Sequence, residues 1–587
     1  MLNFLKYVLA TIVGLLVFFF ISILLLFAIA AASASSDEVT VAENSVLELK
    51  LDKPIMERDP ENPFAELGFS FGSLSSSDGL DQIKAAIRRA KTDDNVKGIF
   101  LNMIFVDAGM AKLEEIRNEL IDFKESGKFV VSYTDVSTEK AYYLSSVADK
   151  IYLNPMGTIE FNGMSSEMFF FKRMLDKLNI EAQIFKVGTY KSAVEPFFLE
   201  EASDANREQL NSFLNSINNY QLQNIAEARG VEVAELKNVQ DNLLVRDPAD
   251  AKEYKLITDI GYFDEAISYM KSNMGMAEDD KLELVQLSKY KKVKDNVEVS
   301  TSRNRIAVVY AEGDIVDGEG DEGNIGSRRF TDALRKARMD ENVKAVVLRI
   351  SSPGGSALAS DVIWREIQLT KKEKPVIASM SDYAASGGYY LAMGCDTIVA
   401  HPNTITGSIG VFGVIPNIQG FLNEKLGITV DHVSTGNFSE QPTITRPMTE
   451  QEKEIVQNQI DQIYETFTSK AAQGRGMNQD QLKEYASGRV WSGVEAEQRN
   501  LIDVYGGLET AIAIAAKKAN IEDDYRLKAM PERKSFFNNL FSDFGAQTKE
   551  QSIKAELGEL YPYYKLYKKV GDMQGAQARM PYDLTLQ

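Results

Sequence analysis

The sequence predicts an α/β chain that carries two copies of one parallel-sheet unit behind an apolar N-terminal helix. Three observations predict it. Two long stretches match each other at an offset of 247 residues, apolar runs of strand length alternate with helical periodicity in both, and residues 7–36 contain no charged side chain. Asn95-Val96-Lys97, leading into 98–101, answers to Asn342-Val343-Lys344, leading into 345–348. Tyr142-Tyr143-Leu144 answers to Tyr389-Tyr390-Leu391, and Asp149-Lys150-Ile151 with Asn154-Pro155 answers to Asp396-Thr397-Ile398 with His401-Pro402. Further on, Leu256-Ile257 meets Leu501-Ile502, and Ala266-Ile267 meets Ala511-Ile512, at an offset of 245. Tandem duplication is the simplest account, and strands alternating with helices imply parallel sheets.

Residues 7–36 come first. They are mostly apolar from 8 to 32, which exceeds the ~20 residues a helix needs to span a bilayer. Lys6 flanks the start, and Asp37 and Glu38 flank the end, so the positive-inside tendency leaves the large remainder outside the cytoplasm. The small residues 30–36 resemble a signal-peptidase cleavage region. A cleavable signal, however, has an apolar stretch of only about 7 to 15 residues, so a retained anchor is expected.

After a polar connection, Ser45-Val46-Leu47-Glu48-Leu49-Lys50-Leu51 alternates as a half-buried strand does. The Gly-, Ser- and Phe-rich stretch 60–79 is expected to be a loop or flap. Spacing then predicts a helix over 81–91, a strand over 98–103, a helix over 112–124 and a strand over 129–133. The second copy opens on Arg305-Ile306-Ala307-Val308-Val309-Tyr310 and continues with a helix over 332–338, a strand over 345–350, a helix over 360–370 and a strand over 375–380. Long amphipathic helices are predicted at 205–229 and 449–472, with their apolar faces on the parent unit. The Lys-, Ser- and Thr-rich segment 290–304 reads as a linker. The expected organisation is an anchor at 1–36, a first repeat at 37–295, a second at 296–521 and a helical tail at 522–587. That tail includes an exposed-looking Tyr561-Pro562-Tyr563-Tyr564 and receives no chemistry.

Composition narrows the function. At 587 residues the chain is too long for one core, since single cores stop growing near roughly 250 to 300 residues. A formal net charge of -20 disfavours polyanionic partners, and nucleic-acid binding is not expected. Cys395 is the only cysteine, which excludes an intrachain disulfide and a cysteine-rich metal site. No cofactor or metal is expected.

The strongest local signal is Ser379-Met380-Ser381-Asp382-Tyr383-Ala384-Ala385-Ser386-Gly387-Gly388-Tyr389-Tyr390-Leu391. Ser386 opens a helix there, where backbone N–H groups converge and the helix dipole favours developing negative charge. The surrounding alanines and glycines leave room for a substrate backbone. An N-cap serine followed by glycines for close packing accounts equally for an isolated Ala-Ser-Gly-Gly. Upstream, Ser352-Pro353-Gly354-Gly355-Ser356 follows a strand and either turns its amides toward an oxygen or makes an ordinary turn.

A nucleophilic serine needs a base. The two histidines, His401 and His432, do not support a Ser-His-Asp arrangement, because His401 falls in a segment whose counterpart has none. A buried lysine is the other established solution, since desolvation lowers its pKa and frees the amine to accept a proton. Lys191, within Phe185-Lys186-Val187-Gly188-Thr189-Tyr190-Lys191-Ser192-Ala193-Val194, is the best candidate; an ordinary solvated lysine is the alternative.

Gly-Thr-Tyr-Lys-Ser-Ala, Ser-Pro-Gly-Gly, Ala-Ala-Ser-Gly-Gly-Tyr and Thr406-Gly407-Ser408-Ile409-Gly410 occur in this order. Together they resemble the signal peptide peptidase A family, membrane-anchored Ser-Lys serine peptidases, in its long two-repeat form. The resemblance runs from the anchor to about residue 520. It implies Ser386 as nucleophile, Lys191 as general base, the Gly355 and Gly387 amides as oxyanion hole, and Ser408 as the hydroxyl that orients the lysine. It also implies two ClpP/crotonase-like domains of spiral β-β-α units, a homotetramer, and peptide substrates, signal peptides above all. Its further implication is a single-pass location in the bacterial inner membrane with the body on the periplasmic side and lipid contact through the first helix.

The repeat comparison leads to the same division of labour. At offset 247, Ser386 falls on Glu139 and the Ser-Pro-Gly-Gly turn on residues 105–108, while Phe438 stands opposite Lys191. Each copy lacks what the other keeps. Two rivals stand beside the peptidase: an acyl-CoA enzyme of crotonase type, which relies on carboxylates and needs no anchor, and a non-catalytic membrane scaffold.

Overall fold

Runs rich in Val, Ile and Leu, too short for helices and β-branched, pair into two extended parallel sheets, one per copy. The computed structural model that gives this architecture describes residues 2–33, 40–58, 77–293, 301–321, 323–532, 553, 557–558 and 575–580. Most of the stretch expected to be a flap at 60–79, and the tyrosines of 561–564, lie outside the described residues. The first sheet runs in the order Asp259–Ile260, Lys150–Ile159, Phe129–Ser137, Val96–Leu101, Ser45–Leu49 and Glu283–Gln286, all parallel. In the second, Val504–Tyr505, Thr397–Ala400, Val376–Ala385, Val343–Ser352, Arg305–Glu312 and Arg526–Met530 repeat that order, again parallel.

The helices repeat as well. Leu80–Thr92 corresponds to Ser327–Met339, Met110–Lys124 to Ala357–Lys371, Asp204–Arg229 to Glu450–Arg475, and Phe263–Asn273 to Leu508–Ala519. Each long helix starts on a side-chain cap: Ser203 accepts from Asn206 N, and Thr449 from Glu452 N. Each ends at a glycine with positive φ, Gly230 or Gly476, the residue that adopts this stop most cheaply. Leu210, Phe213 and Ile217 enter the first core, while Ile460, Tyr464 and Phe467 enter the second. At roughly 1.5–3 kcal/mol per fully buried large apolar side chain, these faces hold the helices down far more than propensity does.

Two boundaries differ from the sequence reading. The strand expected to stop at 380 continues to Ala385, because Tyr383, Ala384 and Ala385 pair with Ile405, Thr406 and Gly407. Arg526–Met530, placed in the tail on sequence, is the edge strand of the second sheet; its alternation of half-buried and exposed residues suits an edge. The chain also begins with a single 32-residue helix, Leu2–Ser33. Among the described residues no helix is long and apolar enough to cross a membrane; only part of the side chains of Leu2–Ser33 belong to that set.

A third sheet joins the copies. Glu181–Val187 of the first copy pairs antiparallel with Val411–Asn417 of the second through seven consecutive residue pairs. Charge reinforces the junction. Arg349, fully buried, places Nε 2.7 Å from Glu57 Oε2 and Nη2 2.7 Å from Glu115 Oε1, and its remaining contacts go to Ser379 and Ser381. Asp382 Oδ1 accepts from Ala111 N and Lys112 N at 3.1 Å each, capping a first-copy helix from the second copy. Gly109 stands there because any Cβ would collide with the Asp382 carboxylate. Burial alone would lower the Lys112 pKa, but Asp382, Glu312 and Glu57 outweigh it and hold the ammonium above its ordinary value.

Candidate active site

Ser386 lies where the strand Val376–Ala385 passes into the helix Gly387–Ala392. Its backbone, at φ 53° and ψ −110°, occupies a sparsely populated region that costs about 1–3 kcal/mol and persists only where the surroundings fix it. Ser386 N donates to Gly407 O at 2.8 Å, and Tyr390 N donates to Ser386 O at 2.8 Å. The side chain therefore projects from a sharp strand-to-helix turn, beside the unpaired N–H groups of the helix's first turn.

Lys191 reaches the same place from the first copy. The intercopy pairing of Glu181–Val187 carries the chain to Gly188, at φ 107°, and Tyr190 N donates to Ser487 O at 3.0 Å. The chain thus turns inward, and Lys191 Nζ lies 2.9 Å from Ser386 Oγ. The amine also meets Ser408 O at 3.0 Å and Ser408 Oγ at 3.1 Å. Ser408 Oγ donates in turn to Gly488 O at 3.3 Å, which fixes its rotamer. Lys191, Ser386 and Ser408 are all fully buried.

Burial lowers the Lys191 pKa well below its ordinary value of 10.5, and no carboxylate opposes the effect. This is the reverse of Lys112, whose acidic neighbours keep it charged. A neutral amine has two N–H donors and one lone pair. With both donors directed at Ser408, the lone pair is left for the Ser386 hydroxyl proton; the alternative acceptor for that proton, Gly410 O, is farther away at 3.4 Å. Such an arrangement can take the proton from an attacking serine.

Gly354–Ser356 forms a short strand against the helix N-terminus: a Cβ on Gly354 would stand 2.8 Å from Gly387 N. Gly355 pairs with Ile315 on one side and Ala578 on the other. Gly354, the neighbour of Gly355, thus packs against Gly387, the residue that follows Ser386. Neither histidine enters it. His401 Nε2 lies 3.1 Å from Glu115 Oε1 in the intercopy junction, and His432 lies 3.4 Å from Glu440. In the first copy, Glu139 occupies the position of Ser386; burial pushes its carboxyl up to about 7, and it accepts from Gly163 N and Gln240 Nε2.

Sequence reasoning missed Gly410 and Gly488. A Cβ on Gly410 would come 3.2 Å from Lys191 Cδ, and one on Gly488, at φ 79°, would come 2.6 Å from Lys191 Cβ. Their missing side chains make the channel through which the lysine reaches the serine. Gln209 of the long first-copy helix was missed as well. Its Nε2 donates to Ser192 Oγ at 2.8 Å and its Oε1 accepts from Val490 N at 3.1 Å, tying the lysine loop to the second copy. Among the described residues no group of His, Cys, Asp or Glu could hold a metal ion.

The sequence model described as "Peptidase family S49" matches this chain twice, at residues 122–277 and 368–522. "Protease 4" of Haemophilus influenzae is 36% identical over 83% of this chain and 81% of its own length. "Serine protease SPPA, chloroplastic" of Arabidopsis thaliana is 37% identical over 76% of this chain and 67% of its own. "Protease 4" of Salmonella typhi is 33% identical over 77% and 74% respectively.

Proposed function

Because this chain belongs to peptidase family S49, carries the family's region twice and is a serine protease, we propose that it cuts peptides with a Ser-Lys dyad shared between its copies. Ser386 Oγ attacks a peptide carbonyl carbon while Lys191 Nζ accepts the hydroxyl proton. The Gly355 and Gly387 amides hold the developing oxyanion, and Ser408 orients the amine. Collapse expels the amine of the departing peptide, which receives the proton from Lys191, and leaves an ester on Ser386. Water, deprotonated by Lys191, then hydrolyses the ester. The observation that carries this reading is the 2.9 Å approach of a fully buried amine to a fully buried hydroxyl with no acid beside it.

Residues 37–295 act as the unit that supplies the base, and 296–521, extended by the edge strand Arg526–Met530, as the unit that supplies the nucleophile. The substrates are signal peptides left after secretion, as the four-motif resemblance supports. The helix Leu2–Ser33 anchors the protein in the bacterial inner membrane with its body on the periplasmic side, and the chain assembles as a homotetramer. Support for the anchor is its uncharged run of 30 residues against the ~20 a span requires.

The test uses the full chain in detergent with a fluorogenic peptide and a fluorophosphonate probe. Wild type hydrolyses the peptide and takes the label on Ser386. Ser386→Ala takes no label, and both Ser386→Ala and Lys191→Ala lose about 10⁴-fold or more in kcat, as removal of a nucleophile or its base does. Near-normal turnover by either folded variant overturns the mechanism.

A further inference from the structure

Lys191 is fully buried, but the residues before it are not: Tyr190 is half-buried and Thr189 exposed. The base therefore sits one residue inside the surface, and whatever fixes Tyr190 decides where the amine ends and whether water follows it. Main-chain bonds supply part of that hold. Tyr190 N donates to Ser487 O at 3.0 Å, Ser408 N donates to Arg489 O at 2.6 Å, and Gly407 pairs with Val490. Residues 487–490 thus form a track that meets the lysine loop, the hydroxyl residue beside the amine, and Gly407, whose carbonyl holds Ser386 N.

One side chain of the track turns back over the lysine loop. The Arg489 guanidinium lies over the Tyr190 ring, 4.7 Å from its centre, and over the Trp491 ring at 4.4 Å. Its Nη1 donates to Glu208 Oε1 at 2.7 Å, and Tyr190 Oη donates to Glu208 Oε2 at 3.0 Å. One carboxylate of the long first-copy helix thus takes both partners. Gln209, next in that helix, donates to Tyr190 O at 3.1 Å. Trp491 is itself fixed, being buried with Nε1 donating to Tyr485 O at 2.9 Å. A guanidinium offers a flat face to aromatic rings and a forked edge to a carboxylate, a combination that an ammonium lacks. Arg489 uses both.

The duplication supplies a contrast. At the offset of 245, which also brings the helix caps Ser492 and Asp247 together, Arg489 falls on Leu244 and Trp491 on Arg246. The first copy, with Glu139 in place of the serine, has neither the guanidinium nor the indole ring. The arrangement accompanies the serine and the lysine rather than the fold. Nor does Arg489 act by charge: the Lys191 amine meets Ser386, Ser408 and, at 6.0 Å, the Phe412 ring, and burial is what lowers its pKa.

We propose that Arg489 is a positioning residue for the base, acting through Tyr190: its guanidinium, seated on the Tyr190 and Trp491 rings and on Glu208, closes the point where the lysine loop enters the protein and keeps Lys191 dry and within reach of Ser386. The inference rests on the Lys191 role proposed above. Without this clamp the loop gives way, the amine moves off the serine, and water enters behind Tyr190.

The experiment measures kcat, KM and the pH profile of kcat/KM on a fluorogenic peptide, with a thermal melt of each variant, using the full chain in detergent. Arg489→Met is expected to lose on the order of 100-fold in kcat at neutral pH with KM within twofold. Its rising pH limb is expected to move up by about one pH unit, because relief of desolvation returns a lysine toward its ordinary pKa. Tyr190→Leu is expected to behave alike, and the double variant to lose no more than the worse single one, as groups that act through each other do. Arg499→Met removes the other guanidinium over Trp491, 3.7 Å from the ring centre and bonded to Glu495 O at 2.6 Å, and is expected to stay within twofold of wild type. A folded Arg489→Met with the wild-type pH limb, losses that multiply in the double variant, or an equal loss in Arg499→Met overturns the inference and leaves the dyad reading standing. A wild type without a rising limb, or a Lys191→Ala that turns over normally, overturns both.

Discussion

Gly488→Ala tests whether the reach of Lys191 depends on one missing side chain. The new Cβ would lie 2.6 Å from Lys191 Cβ and 2.7 Å from its Cα and N. Carbon atoms rest at about 3.5–4.0 Å, so Lys191 must retreat by roughly 1 Å. Two of the opposing atoms are backbone and cannot swing aside. A misplacement of about 1 Å at a reacting group costs on the order of 10²-fold, which is about 2.7 kcal/mol of transition-state stabilisation. Alanine at φ 79° adds backbone strain of about 1–2 kcal/mol, so stability falls too, and the two effects need separating. Gly476→Ala does so: it sits at φ 63° with nothing within 4 Å of its Cβ, and carries the strain without the contact. The assay is kcat on a saturating fluorogenic peptide, with a thermal melt of each variant. Gly488→Ala is expected to lose about 100-fold in kcat and Gly476→Ala less than about twofold, although both melt lower. A folded Gly488→Ala within twofold of wild type refutes the reasoning.

Because burial lowers the Lys191 pKa well below 10.5, kcat/KM should rise with pH as the amine loses its proton in that lowered range; a flat profile from mildly acidic to mildly alkaline pH counts against it. The same shift affects stability. Between the lowered folded pKa and 10.5 the unfolded chain binds the proton and the folded chain does not, so stability rises with pH across that window. Lys191→Met should therefore unfold at higher denaturant than wild type at neutral pH, with the gap closing as pH approaches 10.5; a constant gap would show that the lysine is charged when folded. Arg349→Met leaves the Glu57 and Glu115 carboxylates buried without their guanidinium and should cost about 3–5 kcal/mol in a urea titration. A loss below about 1 kcal/mol would mean the pair is as weak as a surface one.

Much of the scaffold could be read from the sequence because the duplication doubled each signal. The helix over 112–124 and the one over 360–370 support each other, and both lie inside helices of equal length, Met110–Lys124 and Ala357–Lys371. Ser386 and Lys191 stood out because small residues crowd around each, a local property. What joins them did not show. Glu181–Val187 and Val411–Asn417 pair only across copies, so no short-range pattern records the contact. Nothing local marks Arg349, inside a strand, and Glu115, on a helix, as partners, because burial of a charge is decided by a partner hundreds of residues away. Gly488 is one glycine in Ser487-Gly488-Arg489, with no spacing to set it apart. Gln577–Arg579 has too little apolar content to suggest a strand, yet it pairs between Gly354–Ser356 and Val411–Asn417.

The use of charge rather than apolar surface between the copies fits the chemistry proposed for the site. A lysine that is to act as a base must be kept dry, and a fully dry pocket between two domains forms only if the domains meet in one register. Apolar contacts would tolerate sliding. Arg349 bonded at once to Glu57, Glu115, Ser379 and Ser381 does not, since any shift strands a buried charge at a cost of several kcal/mol. Two of those partners, Ser379 and Ser381, belong to the strand that ends one residue before Ser386. Asp382 in that strand caps the first-copy helix that begins at Met110. The strand that positions the nucleophile is therefore also the one that recognises the other copy, and docking error is felt at the serine directly. That coupling accounts for a buried ionic junction where hydrophobic residues of similar volume would have given equal or greater stability.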